Sequence, residues 1–370
     1  MNTEKAGNYG RIIAFVLVAT ILIGIFGFAA EGWQSMEQNE SDNGKIDSGN
    51  DETDENNDGT ENNPDVPEGP YIPDYVNLLT GLETTEELAR LRPICFVMNT
   101  TSPLYGISGA ELTVELPTED GTTRLLSFTS NSRELGKIGS LAPTRGYISN
   151  IAKYFGAILV SAGSDDTVEY DRQDVSSSHF DLCAYSGYHY TEYTHFVYTN
   201  GALVNAGIAN ANIGTAVNTR QTLPYLFPDF GSERIFGTLS ARNVILPFSS
   251  SSETELYYSD TDGKYTLSKG GVTKTDMLTD EAVTYDNVFV LFADTVTYEN
   301  ASGSEMVMNT ATCGTGYYVT GGTAMNIRWE AGAGGAMVFY NEAGERLTVN
   351  RGNSYIGFIK SSLTDTVKFS

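Results

Sequence analysis

Ile12 to Ala30 read IIAFVLVATILIGIFGFAA, nineteen positions without a charge. A run of that length matches the roughly 20 apolar residues needed to cross a bilayer, so it constrains everything that follows it. Lys5 and Arg11 precede the run and Glu31 follows it. Basic residues favour the cytoplasmic side of a span. The pattern predicts a cytoplasmic tail over 1–11, a transmembrane anchor over 12–30, and a chain that is extracytoplasmic beyond it, held at the cell membrane by a single pass. A cleaved secretory signal is the alternative, because Gly27-Phe28-Ala29 resembles a small-x-small cleavage site, although the run is longer than an ordinary signal core. No cysteine stands at the end of the run to accept a lipid.

From 31 to 74 the composition shifts to Asp, Glu, Asn and Gly with almost no apolar side chains. Such a segment buries too little surface to offset the entropy of ordering it, and its like charges repel, so an acidic disordered stalk is expected. The whole chain carries 47 acids against 22 bases, a formal charge of −25. That balance repels phosphate backbones and argues against a nucleic-acid partner. The three cysteines, Cys95, Cys183 and Cys313, are far apart and form no C-x-x-C pair. They support neither a metal site nor a redox motif and read as small buried apolar residues. No cofactor motif is present.

The folded region opens near Asn77. Ile94 to Met98 is a continuous apolar run, read as a buried strand. Leu112–Leu116 and Thr123–Phe128 flank Thr118-Glu119-Asp120-Gly121-Thr122, whose Asp-Gly pair marks a hairpin turn. Pro143 to Phe155 has apolar residues at helical spacing, with Pro143 at its start and Arg145 in its first turn. Ala157–Ser161 is a further strand. This mixture predicts an α/β domain over 75–238. From Asn243 the helical period is absent. A hairpin at 253–267 is followed by strands at Val288–Phe292, Gly316–Thr320, Met325–Glu330, Met337–Asn341, Leu347–Asn350 and Tyr355–Ile359. They predict a mostly antiparallel β domain over 239–370, and hence an α+β chain overall.

These residues fall into a familiar order. Asn77-x-Leu79-Thr80-Gly81-Leu82, Arg92-Pro93, Ser108-Gly109-Ala110, Val114-Glu115, Glu119-Asp120-Gly121-Thr122-Thr123-Arg124 and Thr144-Arg145 come first. Val244-Ile245-Leu246-Pro247-Phe248-Ser249, Gly263-Lys264-Tyr265, Trp329, Phe339-Tyr340-Asn341-Glu342-x-Gly344-Glu345 and Asn350-x-Gly352 come later. From Asn77 to its end the chain resembles the YerB-like family of bacterial lipoproteins, a two-part domain of unknown function found mainly in Gram-positive bacteria. It departs from that pattern in lacking the lipidation cysteine, in reading Gly139-Ser140-Leu141-Ala142-Pro143-Thr144-Arg145 where the family has two arginines, and in carrying Ser161 where a histidine is usual. His195 is what remains of a Pro-His-Asn stretch.

On the matching blocks the polar residues are Glu115, Arg124, Arg145 and His195. Two arginines suit a carboxylate or phosphate, and a histidine suits proton transfer. Glu115 with Arg124 also reads as a plain cross-strand ion pair. Tyr185, Tyr188, Tyr190, Tyr193 and Tyr198 form an aromatic cluster suited to a sugar or a protein surface. The expectation is a membrane-anchored envelope protein that binds a small anionic or cell-wall-derived ligand or a protein partner. The alternatives are a cell-wall-acting hydrolase or transferase using His195 or Glu115, and a structural assembly partner.

Overall fold

The computed structural model describes residues 71–164, 178–193, 195–218, 222–300, 303–331 and 336–370. All of them belong to one compact unit, Val66–Ser370. Strands dominate it. The first eight are β1 (Ile94–Asn99), β2 (Leu112–Pro117), β3 (Thr123–Thr129), β4 (Lys137–Leu141), β5 (Ile158–Ser161), β6 (His179–Asp181), β7 (Tyr190–Glu192) and β8 (Phe196–Asn200). Next come β9 (Leu239–Ser240), β10 (Asn243–Pro247), β11 (Glu253–Ser259), β12 (Lys264–Lys269), β13 (Val272–Thr273), β14 (Thr284–Tyr285) and β15 (Asn287–Ala293). The last are β16 (Thr295–Asn300), β17 (Gly303–Met308), β18 (Cys313–Thr320), β19 (Thr323–Ala331), β20 (Met337–Tyr340), β21 (Ser354–Lys360) and β22 (Lys368–Phe369).

Fourteen of these strands form one sheet among the described residues, with the central order β20-β19-β18-β15-β21-β2-β3-β1-β4-β8-β7. Its seam is β21, which runs parallel to β15 on one side and to β2 on the other. The end of the chain thus inserts between the early and late parts of the sequence and makes their strands continuous. Side chains alternate across this sheet with the period of two that strands impose. Leu112, Val114, Leu116, Ile356 and Phe358 face a core shared with Ile148 and Ile151 of the helix Gly146–Tyr154. Leu125, Tyr355 and Ile359 face the opposite core, shared with Val244, Leu246, Phe248, Leu256 and Leu267 of a second sheet. That second sheet, ordered β13-β12-β11-β10-β22 with β14 beside β12, covers the other side. Full burial of each Leu, Val or Phe side chain contributes about 1.5–3 kcal/mol, so both layers are strongly fixed.

Several expectations are corrected here. The chain is mostly β; the α+β expectation survives only as a β-rich, two-part fold with short helices. The single-pass anchor at the cell membrane is not sustained: among the described residues no helix is long and apolar enough to cross a membrane. Residues 12–30, on which the anchor was expected, lie outside the described residues, as does the stalk as far as residue 70. The membrane partner and the extracytoplasmic address are therefore withdrawn. Of the three cysteines only Cys95 is buried; Cys183 and Cys313 are exposed, and all three are free thiols. Leu347–Asn350 forms no strand: Thr348 makes one isolated bridge, to Leu226. The helix starts at Gly146, with Arg145 extended at its N-cap rather than inside the first turn.

Candidate functional site

Three tight connections meet at one rim, where the second sheet lies over the first. The β2–β3 connection closes on itself: the Thr118 amide donates to the Thr122 carbonyl at 2.9 Å. Asp120 accepts from the Thr118 and Thr122 hydroxyls at 2.6 and 2.7 Å. Burial pushes the Asp120 carboxyl up, but these hydrogen bonds outweigh it and hold the pKa down at about 2. Gly121 sits at φ +79°, the left-handed region that the Asp-Gly signature anticipates. In the β10–β11 connection, the Phe248 and Ser249 amides both donate to the Ser252 carbonyl. The Ser249 hydroxyl donates to the Gly121 carbonyl at 2.7 Å, tying this turn to the first. The third connection, after β12, passes through Gly270 and Gly271 and brings the Lys274 amide to the Leu267 carbonyl at 2.9 Å.

Between these turns lies an open cleft of about 530 Å³, lined by Thr100, Thr101, Thr122, the run Ser249–Ser252, Glu253, Lys269 and Lys274. Behind its lining, bonded to Lys269, lies Glu115, which is fully buried. The Glu115 carboxylate accepts from Thr123 at 2.5 Å, from Thr254 at 3.0 Å and from Tyr355 at 2.6 Å, and it pairs with the Lys269 ammonium. Burial first, and then the Glu115 charge, push the Tyr355 phenol well above its ordinary value, so it stays a donor. Lys269 also donates to the Thr123 hydroxyl at 3.0 Å. Two of its three N–H groups are thereby spent, and one remains. The Lys274 ammonium makes no hydrogen bond or ion pair among the described residues. Burial, and then the neighbouring Lys269 charge, lower its pKa from the usual lysine value against the smaller opposing effect of the Glu115 charge. The cleft therefore holds a partly desolvated cation beside one that is already compensated.

The residues anticipated from sequence separate into three places. Glu115 lies behind this cleft, holding its lining residue Lys269. Arg124 follows Thr123 on β3 and so points to the other face of the sheet, where its Nη1 donates to the Thr122 hydroxyl at 3.3 Å and the Thr123 carbonyl at 3.2 Å. Burial and the adjacent Arg145 charge lower its pKa. Arg145 makes a two-pronged pair with Glu119, its Nε lying 3.2 Å from one carboxylate oxygen. The two arginines are thus neighbours, whereas Glu115 takes Lys269 as its ion partner instead of Arg124. His195 is exposed, lies against Phe196 with ring centres 4.1 Å apart and tilted by 52°, and precedes β8, which β1 and β4 separate from β3. At about 4.8 Å per strand step that is roughly 14 Å from the arginine side of the sheet. The five tyrosines form no single surface: Tyr185 and Tyr188 pack on Phe180, Tyr190 on the buried Tyr198, and the exposed Tyr193 on Phe196, while Lys137 lies 4.0 Å from the Tyr198 ring centre and pairs with Glu192.

Lys269, Lys274 and the Ser249–Ser252 run were not singled out from sequence. Four consecutive serines after a family block were the available signal, but nothing local shows that they face the Thr118–Thr122 turn, some 130 positions earlier. Another cavity, of about 330 Å³, is lined by Leu79, Pro93, Phe155, Leu223 and Pro224 and by no charged side chain among the described residues. It offers apolar space without a group to orient a ligand.

Comparison with known proteins bears on the fold and the family. A family model described as the N-terminal domain of a protein of unknown function (DUF3048) matches residues 79–214, and its C-terminal counterpart matches residues 244–356. The crystal structure of the YerB protein from Bacillus subtilis superposes with a TM-score of 0.68 at 21% identity, covering 80% of this chain and 99% of that one. At that identity the likeness speaks to fold. No curated protein matches the sequence.

Proposed function

The chain belongs to the two-part DUF3048 family of YerB-like proteins, and we propose that it is a binding protein for a small anionic ligand, held in the cleft between the two parts. The observation that carries this reading is Lys274, a partly buried ammonium that lines a hydroxyl-rich cleft and pairs with no carboxylate, the Glu115 charge that favours it being already bonded to Lys269. Desolvating a charge without a partner costs free energy, and an incoming anion recovers it. Glu115 acts as a positioning group: it fixes Lys269 from beneath and is itself saturated by Thr123, Thr254 and Tyr355. Ligand pockets of a few hundred Å³ with a small number of placed polar groups are the usual form of such sites.

A thermal-shift series of the full chain against small anions tests the reading. A binding anion raises the melting temperature by mass action. Lys274→Met is expected to remove the shift while leaving the melting temperature of the free protein unchanged or raised, because it deletes a partly desolvated charge. A panel with no shift, or a shift that survives Lys274→Met, refutes the proposal. The pH dependence has a definite sign. Bound anion favours the charged form of Lys274, so affinity is full below that residue's depressed pKa. It declines as pH rises through that pKa, earlier than an ordinary lysine near 10.4 would dictate.

A further inference from the structure

We infer that the anion is a phosphate monoester of a small polyol or sugar, not a carboxylate, an inference that rests on the anion-binding reading above. The cations lining the cleft are ammoniums, and no guanidinium is among them. A planar carboxylate is best met by the two-pronged fork of arginine, whereas an ammonium is a point charge that serves a phosphate oxygen equally well from any direction. The nearest candidates for a fork, Arg124 and Arg145, sit on the other face of the sheet, bonded to Thr122 and Glu119.

Hydroxyl donors supply the remaining directions. Among the described residues, the Ser250 and Ser252 hydroxyls bond no other group, and both residues line the cleft. Together with Lys274 and the third N–H of Lys269 they present donors from both walls, as a tetrahedral oxyanion requires. No aromatic side chain lines the space, so a neutral sugar lacks the stacking surface on which carbohydrate affinity usually depends. The charged group must then carry the binding. At about 530 Å³ the cleft is far larger than a phosphate ion needs. Glu253, which also lines the cleft, offers its carboxylate as an acceptor for ligand hydroxyls.

Isothermal titration of the full chain separates the cases, using inorganic phosphate, glycerol 3-phosphate, glucose 6-phosphate, glucuronate and glucose as probes. The two phosphate esters are expected to bind more tightly than inorganic phosphate, with glucuronate and glucose silent at the same concentrations. Ser250→Ala/Ser252→Ala and Lys274→Met should each weaken ester binding by about tenfold or more, and circular-dichroism melts check that both variants fold. Glucuronate binding as well as or better than the esters would overturn the phosphate assignment and leave the anion reading standing. Silence from every anion would overturn both. Ester binding unchanged in both variants would place the anion elsewhere and overturn both as well.

Discussion

Glu115→Ala lowers the stability of the protein by about 3–5 kcal/mol, the range for removing one partner of a buried ion pair. The reason is the number of groups left behind. Lys269, whose side chain is only 13% exposed, keeps its charge and loses its counter-ion. The hydroxyls of Thr254 and Tyr355, both on buried residues, lose their acceptor at the same time. A deeply buried donor without an acceptor costs its full desolvation, about 1–3 kcal/mol. The double variant Glu115→Leu/Lys269→Met removes the uncompensated ammonium and should recover that part of the loss, while the Thr254 and Tyr355 hydroxyls remain without their acceptor. Urea unfolding followed by circular dichroism reads both. The expected signature is a lower midpoint at an unchanged slope for the single variant, with the midpoint partly restored in the double. A loss below about 1 kcal/mol for Glu115→Ala would mean that water reaches the carboxylate and that Glu115 does not fix Lys269.

That network explains what could and could not be read from the sequence. The β2–β3 hairpin was legible because an Asp-Gly turn and two strand-length apolar runs are adjacent in the chain. The helix Gly146–Tyr154 was legible for the same local reason, its buried Tyr147, Ile148, Ile151 and Ala152 recurring at helical spacing. The helix Gly201–Asn210 was not, because GALVNAGIAN has small residues on every side and no apolar stripe. What holds it is tertiary: a side chain at Gly201 would lie 2.1 Å from the Ser132 carbonyl oxygen. Its cap is local, the Asn200 side chain accepting from the Leu203 amide at 2.9 Å. The cleft was the least legible part. Glu115 could be chosen from its block, but its partner Tyr355 stands 240 positions later and its ion partner Lys269 154 positions later. Which face of a strand a residue occupies, and which distant turn closes over it, depends on β21 entering between β15 and β2, and no local pattern encodes that.

The same insertion governs the second large effect, that of Phe289→Ala. Phe289 is fully buried at the middle of β15, a strand buried along its whole length. Its ring lies 5.0 Å from Tyr318, 5.1 Å from Phe339 and 5.7 Å from Tyr225, the last nearly coplanar at 14°. Truncation removes the shared partner of three rings, and the rigid sheet around it closes only partly over the void. A loss of about 3–5 kcal/mol follows for a core Phe→Ala change. Phe289→Leu, which fills part of the space, should lose markedly less. The loss should also be felt across the whole described unit, because β15 pairs with β21 and β21 pairs with β2. Trp329 is buried against Phe358, and its indole donates to the Phe292 carbonyl at 3.2 Å, so its fluorescence reports the late strands. The chain has two tryptophans, and Trp33→Phe leaves Trp329 as the sole reporter. In that background, fluorescence and far-ultraviolet circular dichroism should give one coincident urea transition before and after Phe289→Ala, shifted to lower urea by the substitution. Two separated transitions would show that the early and late parts unfold independently, and that β21 does not couple them.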